Sequence, residues 1–243
     1  MSKLADAIRK RLPEHCSAVV VAAGSSLRMG SDKMMMRLGG MPVLARTLRV
    51  LNGCACVEEI VLVVREDMLE AAARLCRDYG VLKVTKVVCG GKTRTESALA
   101  GVSAIRSGAK LVMIHDGARP LVTEKLIREV VHAAAIYHCA APAIAVNDTI
   151  KTREGARVGK TLDRDSLVAI QTPQVFEPLV IKAALSKAVT EGIQYTDDCA
   201  AAEALGAKIR LTEGSAENIK ITRPVDIGTA EAILAARGQT GCE

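Results

Sequence analysis

The sequence is nearly devoid of aromatic residues. Of its 243 residues, none is Trp, one is Phe and three are Tyr. Stacking of bases on aromatic side chains therefore cannot dominate a nucleic-acid interface. The 33 Lys and Arg residues are also spread along the chain, whereas a nucleic-acid-binding protein gathers them in one stripe. We expect no nucleic-acid partner, although the formal net charge of +6 suits a smaller anionic ligand.

Membrane, secretion and zinc-binding signals are absent as well. No apolar run reaches the roughly 18 residues of a membrane span, and no signal peptide is recognisable. The eight cysteines include no Cys-x-x-Cys pair, and Cys54-x-Cys56 lacks the second half of a zinc site. We therefore expect a cytoplasmic protein without membrane contact, whose reduced cysteines fill apolar strands and helices.

Two common phosphate-binding motifs are missing, but a different loop is present. Gly-x-x-x-x-Gly-Lys-Ser/Thr does not occur, and Ser26 breaks Gly-x-Gly-x-x-Gly. Instead, the apolar run 17–21 leads into Ala22, Ala23 and Gly24, whose small side chains leave backbone amides uncovered. Such amides at a strand end form an anion-binding concavity. With Arg28 and Lys33 following, the loop is interpreted as a triphosphate cradle, although similar loops occur in α/β proteins that bind no phosphate.

Apolar strands and amphipathic helices alternate along the first part of the chain. Strands are predicted at 59–64, 83–89 and 110–114, and helices at 42–51, 69–80, 93–105 and from 123 onward. This alternation predicts one α/β domain over residues 1–243, with a Rossmann-like, doubly wound, mostly parallel sheet. Ligands of such sheets bind beyond the carboxyl ends of the strands. The loops 22–28, 89–97 and 115–120 lie there and are rich in glycine and ionisable residues.

Two segments fall outside this alternation. Residues 1–16 form a basic, amphipathic N-terminal extension, in which two acidic residues argue against an organelle transit peptide. Residues 147–169 are predicted to form short strands around the turn 153–156, as a projecting β-arm. The arm has too few apolar positions to pack as a layer, and its strand edges would need a cover. Pairing with a second copy provides one, so we expect a homodimer through the arm.

Six further motifs follow the loop in a fixed order. They are His115-Asp-Gly-Ala-Arg-Pro, Asp148-Thr, Asp163-Arg, Gln171-Thr-Pro-Gln, Thr196-Asp and Asn218-Ile-Lys-Ile-Thr-Arg-Pro. Together with the loop, they closely resemble the 2-C-methyl-D-erythritol 4-phosphate cytidylyltransferase family of the sugar- and polyol-phosphate nucleotidyltransferases. The resemblance implies transfer of CMP from CTP to methylerythritol phosphate, with release of pyrophosphate, in non-mevalonate isoprenoid biosynthesis.

The resemblance also implies roles for individual residues. Catalytic cations would be Arg28, Lys33, Arg164 and Lys220. The substrates would be bound by these residues: Ala22, Ala23, Gly24, Gly91, Ser97, Asp116, Gly117, Thr149, Arg164 and Lys220. Asp116 would hold Mg²⁺ or a similar divalent cation, with Glu217 as a second candidate ligand. Because the family's arm crosses to its partner, Arg164 and Thr149 would serve the opposite subunit.

Some features leave alternatives open. Asp116 could cap a turn, Asp197 could orient substrate hydroxyls or cap its helix, and Arg119 and His115 are interpreted as structural. Relative to the family, Ser26 replaces a common glycine, Gly117 replaces a common alanine, and the segment before Lys33 is shorter.

Three other functions share part of the pattern. A ribitol-phosphate cytidylyltransferase has most of the motifs, but Asp163-Arg164 favours the erythritol enzyme. A molybdenum-cofactor nucleotidyltransferase has a similar loop, but the second half of the chain argues against it. A regulatory nucleotide-binding module would not need cations on both sides of the reacting phosphorus.

Overall fold

The computed structural model describes residues 15–24 and 33–239. Arg28, Ser26 and nearly all of the predicted extension 1–16 lie outside the described residues. The strands are β1 (Cys16–Val21), β2 (Arg37–Leu38), β3 (Met41–Pro42), β4 (Val57–Val64), β5 (Val84–Cys89), β6 (Val112–Asp116), β7 (Cys139–Ala145), β8 (Lys151–Glu154), β9 (Arg157–Thr161), β10 (Val168–Ile170), β11 (Gln174–Phe176) and β12 (Arg210–Glu213). The helices are α1 (Val43–Gly53), α2 (Leu69–Asp78), α3 (Arg94–Ala104), α4 (Glu124–Tyr137), α5 (Pro178–Thr190), α6 (Asp198–Glu203) and α7 (Val225–Ala236).

The central sheet is mixed and mostly parallel. Its strands follow the order β10-β7-β11-β6-β1-β4-β5, and β12 pairs with β7. The pairs β6-β1, β1-β4 and β4-β5 are parallel, whereas β11 runs antiparallel to both β6 and β7. The carboxyl ends of β1, β4, β5 and β6 therefore share one edge of the sheet, and the start of β11 lies at that same edge.

Helices cover both faces of the sheet because successive side chains of a strand point in opposite directions. In β1, Ala18 and Val20 join a core with α1, α2 and α4, while Val19 and Val21 join a second core with α3, α5 and α6. Buried on both faces, β1 is a continuous apolar run, as expected of a central parallel strand. The predicted doubly wound α/β fold is confirmed.

The predicted arm is present as a hairpin. β8 and β9 pair with each other around the turn at Gly155, and neither joins another described strand. The prediction of the arm's end at residue 169 needs a correction, because β10 pairs with β7 in the main sheet. β7 itself was not predicted.

Helix starts are set locally by side-chain caps. Thr93 and Glu96 form a capping box at α3, in which each side chain accepts from the other's backbone N–H. Thr123 caps α4 by accepting from the Leu126 N–H at 3.3 Å. Within the described residues, no helix is long and apolar enough to cross a membrane.

Candidate active site

A cavity of about 490 Å³ opens at the carboxyl ends of β1, β5 and β6. Its wall is built by the loops that follow these strands, by the segment at Lys33 and by the loop that carries Lys220. The carboxyl ends of parallel strands meet in this fold, so loops far apart in sequence converge here. The cavity has the size of a nucleotide site.

One side of the cavity is lined by small residues. Ala23, Gly24, Gly91 and Ser97, the residues predicted to bind CTP, all line it. Ser97 is buried; its Oγ donates to the Thr93 carbonyl at 2.8 Å and accepts from the Gly91 N–H at 3.1 Å. The hydroxyl thus fixes the shape of the glycine loop. The structure thus shows a structural role for Ser97, and its base-reading role stays a prediction.

The two glycines of this loop allow a close approach between segments. A Cβ at Gly90 would lie 2.5 Å from the Ala23 Cβ and 2.7 Å from the Ser97 Oγ. A Cβ at Gly91 would lie 2.3 Å from the Glu96 Cβ. Such distances are not compatible with a side chain, so glycine is required at position 90 for the β1 and β5 loops to meet at this spacing, and at position 91 for the loop to pack against the start of α3.

Asp116 lies at the opposite side of the cavity, at the end of β6. Its Oδ2 is 2.8 Å from the Lys220 Nζ and 3.7 Å from the Arg119 Nε, and its Oδ1 is 3.6 Å from an Arg94 Nη. Burial by itself would raise the pKa of Asp116, but Lys220, Arg94 and Arg119 hold it far below its usual range. The carboxylate is therefore charged at neutral pH.

Lys220 is held in place by contacts on both sides of it in the chain. The buried Asn218 side chain donates to the Thr172 carbonyl at 2.9 Å, and the Asn218 carbonyl accepts from Arg119 at 2.6 Å. On the other side, the Ile221 N–H donates to the Ala118 carbonyl at 2.8 Å. These bonds join the Lys220 loop to the loop after β6, and Arg119 is structural, as predicted.

Arg94 is a site residue that the sequence analysis did not identify. It is the first residue of α3 and lines the cavity, and its guanidinium binds the buried Asp198 carboxylate through two bonds of 2.9 and 2.7 Å. Burial opposes its charge, yet Asp198 and Asp116 raise the pKa of Arg94 above its usual value. A cation in the first turn of a helix is disfavoured by the helix dipole. That position was a weak signal in the sequence for an acidic partner of Arg94.

His115 is a buried structural residue. Its Nδ1 lies 3.0 Å from the Thr172 Oγ, and its Nε2 lies 3.4 Å from the Arg119 carbonyl. Because a carbonyl can only accept, Nε2 carries the proton, and Nδ1 accepts from Thr172. The Thr172 Oγ in turn accepts from the Asp116 N–H at 3.1 Å. Burial lowers the pKa of His115 to about 4, so the ring is neutral at pH 7. Its bond to Thr172 orients the hydroxyl that accepts from the Asp116 N–H.

Two residues that were predicted to bind substrate, Ala22 and Gly117, form backbone hydrogen bonds to strands of the sheet. The Ala22 N–H donates to the Val63 carbonyl at 2.7 Å, and the Gly117 N–H donates to the Val21 carbonyl at 2.9 Å. Both residues are buried. They support the loops that carry Ala23 and Asp116, and their amide hydrogens do not face a ligand.

Glu217 and Asp197 have partners of their own. The Glu217 carboxylate accepts from Arg237 at 2.6 and 2.8 Å. Asp197 caps α6 by accepting from the Ala200 N–H at 2.9 Å. The capping role that the sequence left open for Asp197 is therefore the observed one.

Arg164 and Thr149 lie away from this cavity. Both are exposed, and an Arg164 Nη donates to the Asn147 carbonyl at 3.0 Å. In the described part of the chain, Arg164 forms no ion pair with Asp163 or Asp165. It lines a second cavity of about 550 Å³ at the base of the arm, beside Leu167, Val168 and Leu211.

The donor set at Asp116 fits a hard divalent cation. The carboxylate is ionised and borders the cavity, and the Arg94 Nη2 lies 3.6 Å from Oδ1, beyond hydrogen-bond distance. No group of three His, Cys, Asp or Glu side chains suited to a metal occurs within residues 15–24 and 33–239. One carboxylate supplemented by ligand phosphates is the usual arrangement for Mg²⁺. Glu217 fits less well, because Arg237 engages its carboxylate.

A nucleotide-sized cavity at the carboxyl edge of a doubly wound sheet, with cations grouped around an ionised carboxylate, is characteristic of nucleotidyltransferases. Comparison with known proteins specifies the family. The profile of the 2-C-methyl-D-erythritol 4-phosphate cytidylyltransferases matches residues 16–236. The chain belongs to this family.

Individual relatives support this family assignment. The 2-C-methyl-D-erythritol 4-phosphate cytidylyltransferase of Halalkalibacterium halodurans is 44% identical over 91% of this chain and 97% of its own length. The enzyme of the same name from Geobacillus thermodenitrificans is 43% identical over 90% of this chain and 97% of its own length. The crystal structure of 4-diphosphocytidyl-2C-methyl-D-erythritol synthase from Anaerococcus prevotii superimposes with a TM-score of 0.82 at 31% identity, over 94% of this chain and 99% of that one.

Proposed function

We propose that this chain transfers CMP from CTP to 2-C-methyl-D-erythritol 4-phosphate, forming 4-diphosphocytidyl-2-C-methyl-D-erythritol and pyrophosphate. The observation that carries the proposal is the cavity itself. Lys33, Arg94 and Lys220 line it together with the ionised Asp116, opposite a wall of small residues, in a chain of the cytidylyltransferase family.

The reaction joins two anions, so its difficulty is electrostatic. The attacking phosphate monoester has a second pKa of about 6 and is largely ionised near pH 7, so no general base is required. This agrees with His115, which is buried, neutral and bonded to Thr172 and Arg119. Catalysis then depends on positioning the phosphate and on cations that stabilise the five-coordinate phosphorus.

The wall of small residues is proposed to bind CTP. Ala23, Gly24 and Gly91 line the cavity, and the loops that carry them meet closely at Gly90, so the wall would admit a pyrimidine base. A purine would have to separate these loops. Ser97 keeps the Gly91 loop in the required shape.

The cations are proposed to act on the phosphates. Lys33 would bind the triphosphate, together with Arg28, which lies outside the described residues. Lys220, whose Nζ is 2.8 Å from Asp116, would stabilise the charge on the reacting phosphorus from the side of that carboxylate. Asp116 would hold a divalent cation, which when bound neutralises charge on the triphosphate.

The arm is proposed to complete the site of a second copy. β8 and β9 are exposed along nearly their whole length, and Arg164 and Thr149 lie outside their own chain's cavity. Exposed apolar side chains at the base of the arm, Val168 and Leu211, offer an area that a partner would cover. We therefore propose a homodimer in which Arg164 binds the methylerythritol phosphate of the opposite subunit through its planar fork.

A mixed dimer tests the action of Arg164 across the interface. Arg164→Ala and Lys33→Ala subunits, each inactive alone, are carried on different tags and purified as the heterodimer. If Arg164 acts across the interface, one site collects both defects and the other is intact, so about half the wild-type activity returns. The matched control is a Lys33→Ala/Lys220→Ala heterodimer, in which each site keeps one defect and no activity returns. Absence of recovery in the first heterodimer would refute the proposal.

The function itself is tested by release of pyrophosphate. CTP is supplied with methylerythritol phosphate, ribitol phosphate and glycerol phosphate in separate assays. We expect turnover with methylerythritol phosphate to exceed that with the other two by a wide margin. Faster turnover with ribitol phosphate would assign the chain to that substrate, and no turnover with any of them would refute cytidylyl transfer.

A further inference from the structure

A buried carboxylate outside the proposed catalytic set lies directly behind the site. Asp198, the first residue of α6, has no solvent exposure, and both of its oxygens accept from Arg94. Arg94 begins α3 and faces the cavity. The two residues are joined by a fork of two parallel hydrogen bonds, which fixes the orientation of the guanidinium.

Arg94 has a second carboxylate close by. Its Nη2 is 2.7 Å from Asp198 and 3.6 Å from the Asp116 Oδ1. The first distance is that of a charge-assisted hydrogen bond, and the second is too long for one. The same nitrogen therefore forms a hydrogen bond to Asp198 and lies at ion-pair distance from Asp116 without a hydrogen bond to it.

Asp198 is itself rigidly placed. The Gln174 Oε1 accepts from the Asp198 N–H at 3.1 Å, while the Gln174 Nε2 donates to Asp197, which caps α6. Gln174 opens β11 and pairs with Ile114 of β6, two residues before Asp116. The strand that carries Asp116 and the helix that carries Asp198 are thus connected through one residue, which uses its backbone toward β6 and its side chain toward α6.

We propose that Asp198 is a positioning residue that holds Arg94 away from Asp116 and so leaves the Asp116 Oδ1 available to the divalent cation and the CTP phosphates. The inference rests on the proposed function, in which Asp116 binds the cation. Without the charge of Asp198, the Asp116 Oδ1 is a carboxylate oxygen already within ion-pair distance of Arg94. Arg94 would then bind Oδ1 and compete with the cation for that oxygen.

A pair with a merely structural role makes a different prediction. If Arg94 and Asp198 only fasten α3 to α6, breaking the pair loosens the fold, and neutralising both partners restores nothing at Asp116. If Asp198 restrains Arg94, neutralising Arg94 as well removes the competitor and restores binding at Asp116. The double variant therefore separates the two roles.

The experiment measures Mn²⁺ binding by electron paramagnetic resonance, in the presence of a CTP analogue that cannot be cleaved. In Asp198→Asn, we expect the Mn²⁺ dissociation constant to rise about tenfold. The cation would then have to displace one charge-assisted hydrogen bond from Arg94 to the Asp116 Oδ1. In Arg94→Gln/Asp198→Asn, it should return to nearly the wild-type value. Glu59→Gln is the control, because this buried carboxylate binds Ser17 and the Arg106 backbone, at the opposite edge of the sheet.

Two results would overturn the inference. One is an unchanged Mn²⁺ affinity in folded Asp198→Asn, and the other is an equal loss in the single and double variants. If Asp198→Asn does not fold, Asp198→Ser, which leaves space for water beside Arg94, replaces it with the same expectations. Pyrophosphate release is measured separately. If the variants change the Mn²⁺ affinity as expected but the wild-type protein transfers no cytidylyl group, the proposed function alone is refuted.

Discussion

Neutralising Asp116 is the most direct perturbation of the proposed site. Asp116→Asn keeps the size of the side chain but removes the charge that faces Lys220, Arg94 and Arg119. Both the proposed cation site and the orientation of Lys220 depend on that charge. We expect kcat to fall by about 10²–10³, the range seen when one preorganised electrostatic contact is removed.

The stability cost should be small by comparison. Each cation around Asp116 keeps an alternative partner: Lys220 is 38% exposed and can be rehydrated, Arg94 retains Asp198, and Arg119 retains the Asn218 carbonyl. We therefore expect a loss of about 1–2 kcal/mol in the free energy of unfolding. This is less than the cost of leaving a buried charge without any partner. For a chain of this size, this corresponds to a decrease in Tm of roughly 2–8 °C.

The assay combines pyrophosphate release with thermal denaturation followed by circular dichroism. Asp78→Asn, an exposed position on α2, is the matched control and should change neither quantity. Wild-type activity should also be lost in excess chelator and return when Mg²⁺ is added. Asp116→Asn activity within tenfold of the wild type, or full activity in chelator, would refute the reasoning about this carboxylate.

Three further outcomes follow from the geometry. Gly90→Ala should raise the KM for CTP at least tenfold, because its Cβ would meet Ala23 at 2.5 Å, and a binding titration that gives wild-type affinity would contradict this. ATP should be turned over at least about 100-fold more slowly than CTP in the pyrophosphate assay, and equal rates would rule out selection by the narrow wall. Arg119→Met should lower the free energy of unfolding by about 1–3 kcal/mol in denaturant titrations, because the Asn218 carbonyl loses its donor, whereas Arg128→Met on the exposed face of α4 should change it by less than about 0.5 kcal/mol.

Residues at strand ends could be predicted from the sequence. Gly24, Gly91 and Asp116 each follow an apolar run that folds as a parallel strand, and strand ends in such a sheet meet at one edge. Their position in the cavity follows from the topology alone. Lys220 was found only through its motif, because its placement depends on the bonds of Asn218 and Ile221 to distant loops.

The missed strand β7 shows what local pattern cannot supply. Its sequence, Cys-Ala-Ala-Pro-Ala-Ile-Ala, has low strand propensity, and Pro142 argues against a central strand. The strand forms because β10, β11 and β12 all pair with it, and the Pro142 carbonyl still accepts from the Gln171 N–H. Pairing with three other strands therefore outweighs the low strand propensity of this segment, which the sequence alone indicates correctly.

Arg94 and Asp198 show the same limit for a site. They are 104 positions apart, and neither belongs to a pattern that identifies the other as its partner. A helix that begins with an arginine only favours the presence of some anion near it. The fold supplies two, at 2.7 and 3.6 Å, and only the shorter distance is that of a hydrogen bond. The hydrogen bonding of Arg94 thus depends on the position of Asp198, which the contacts of α6 with Gln174 of β11 fix.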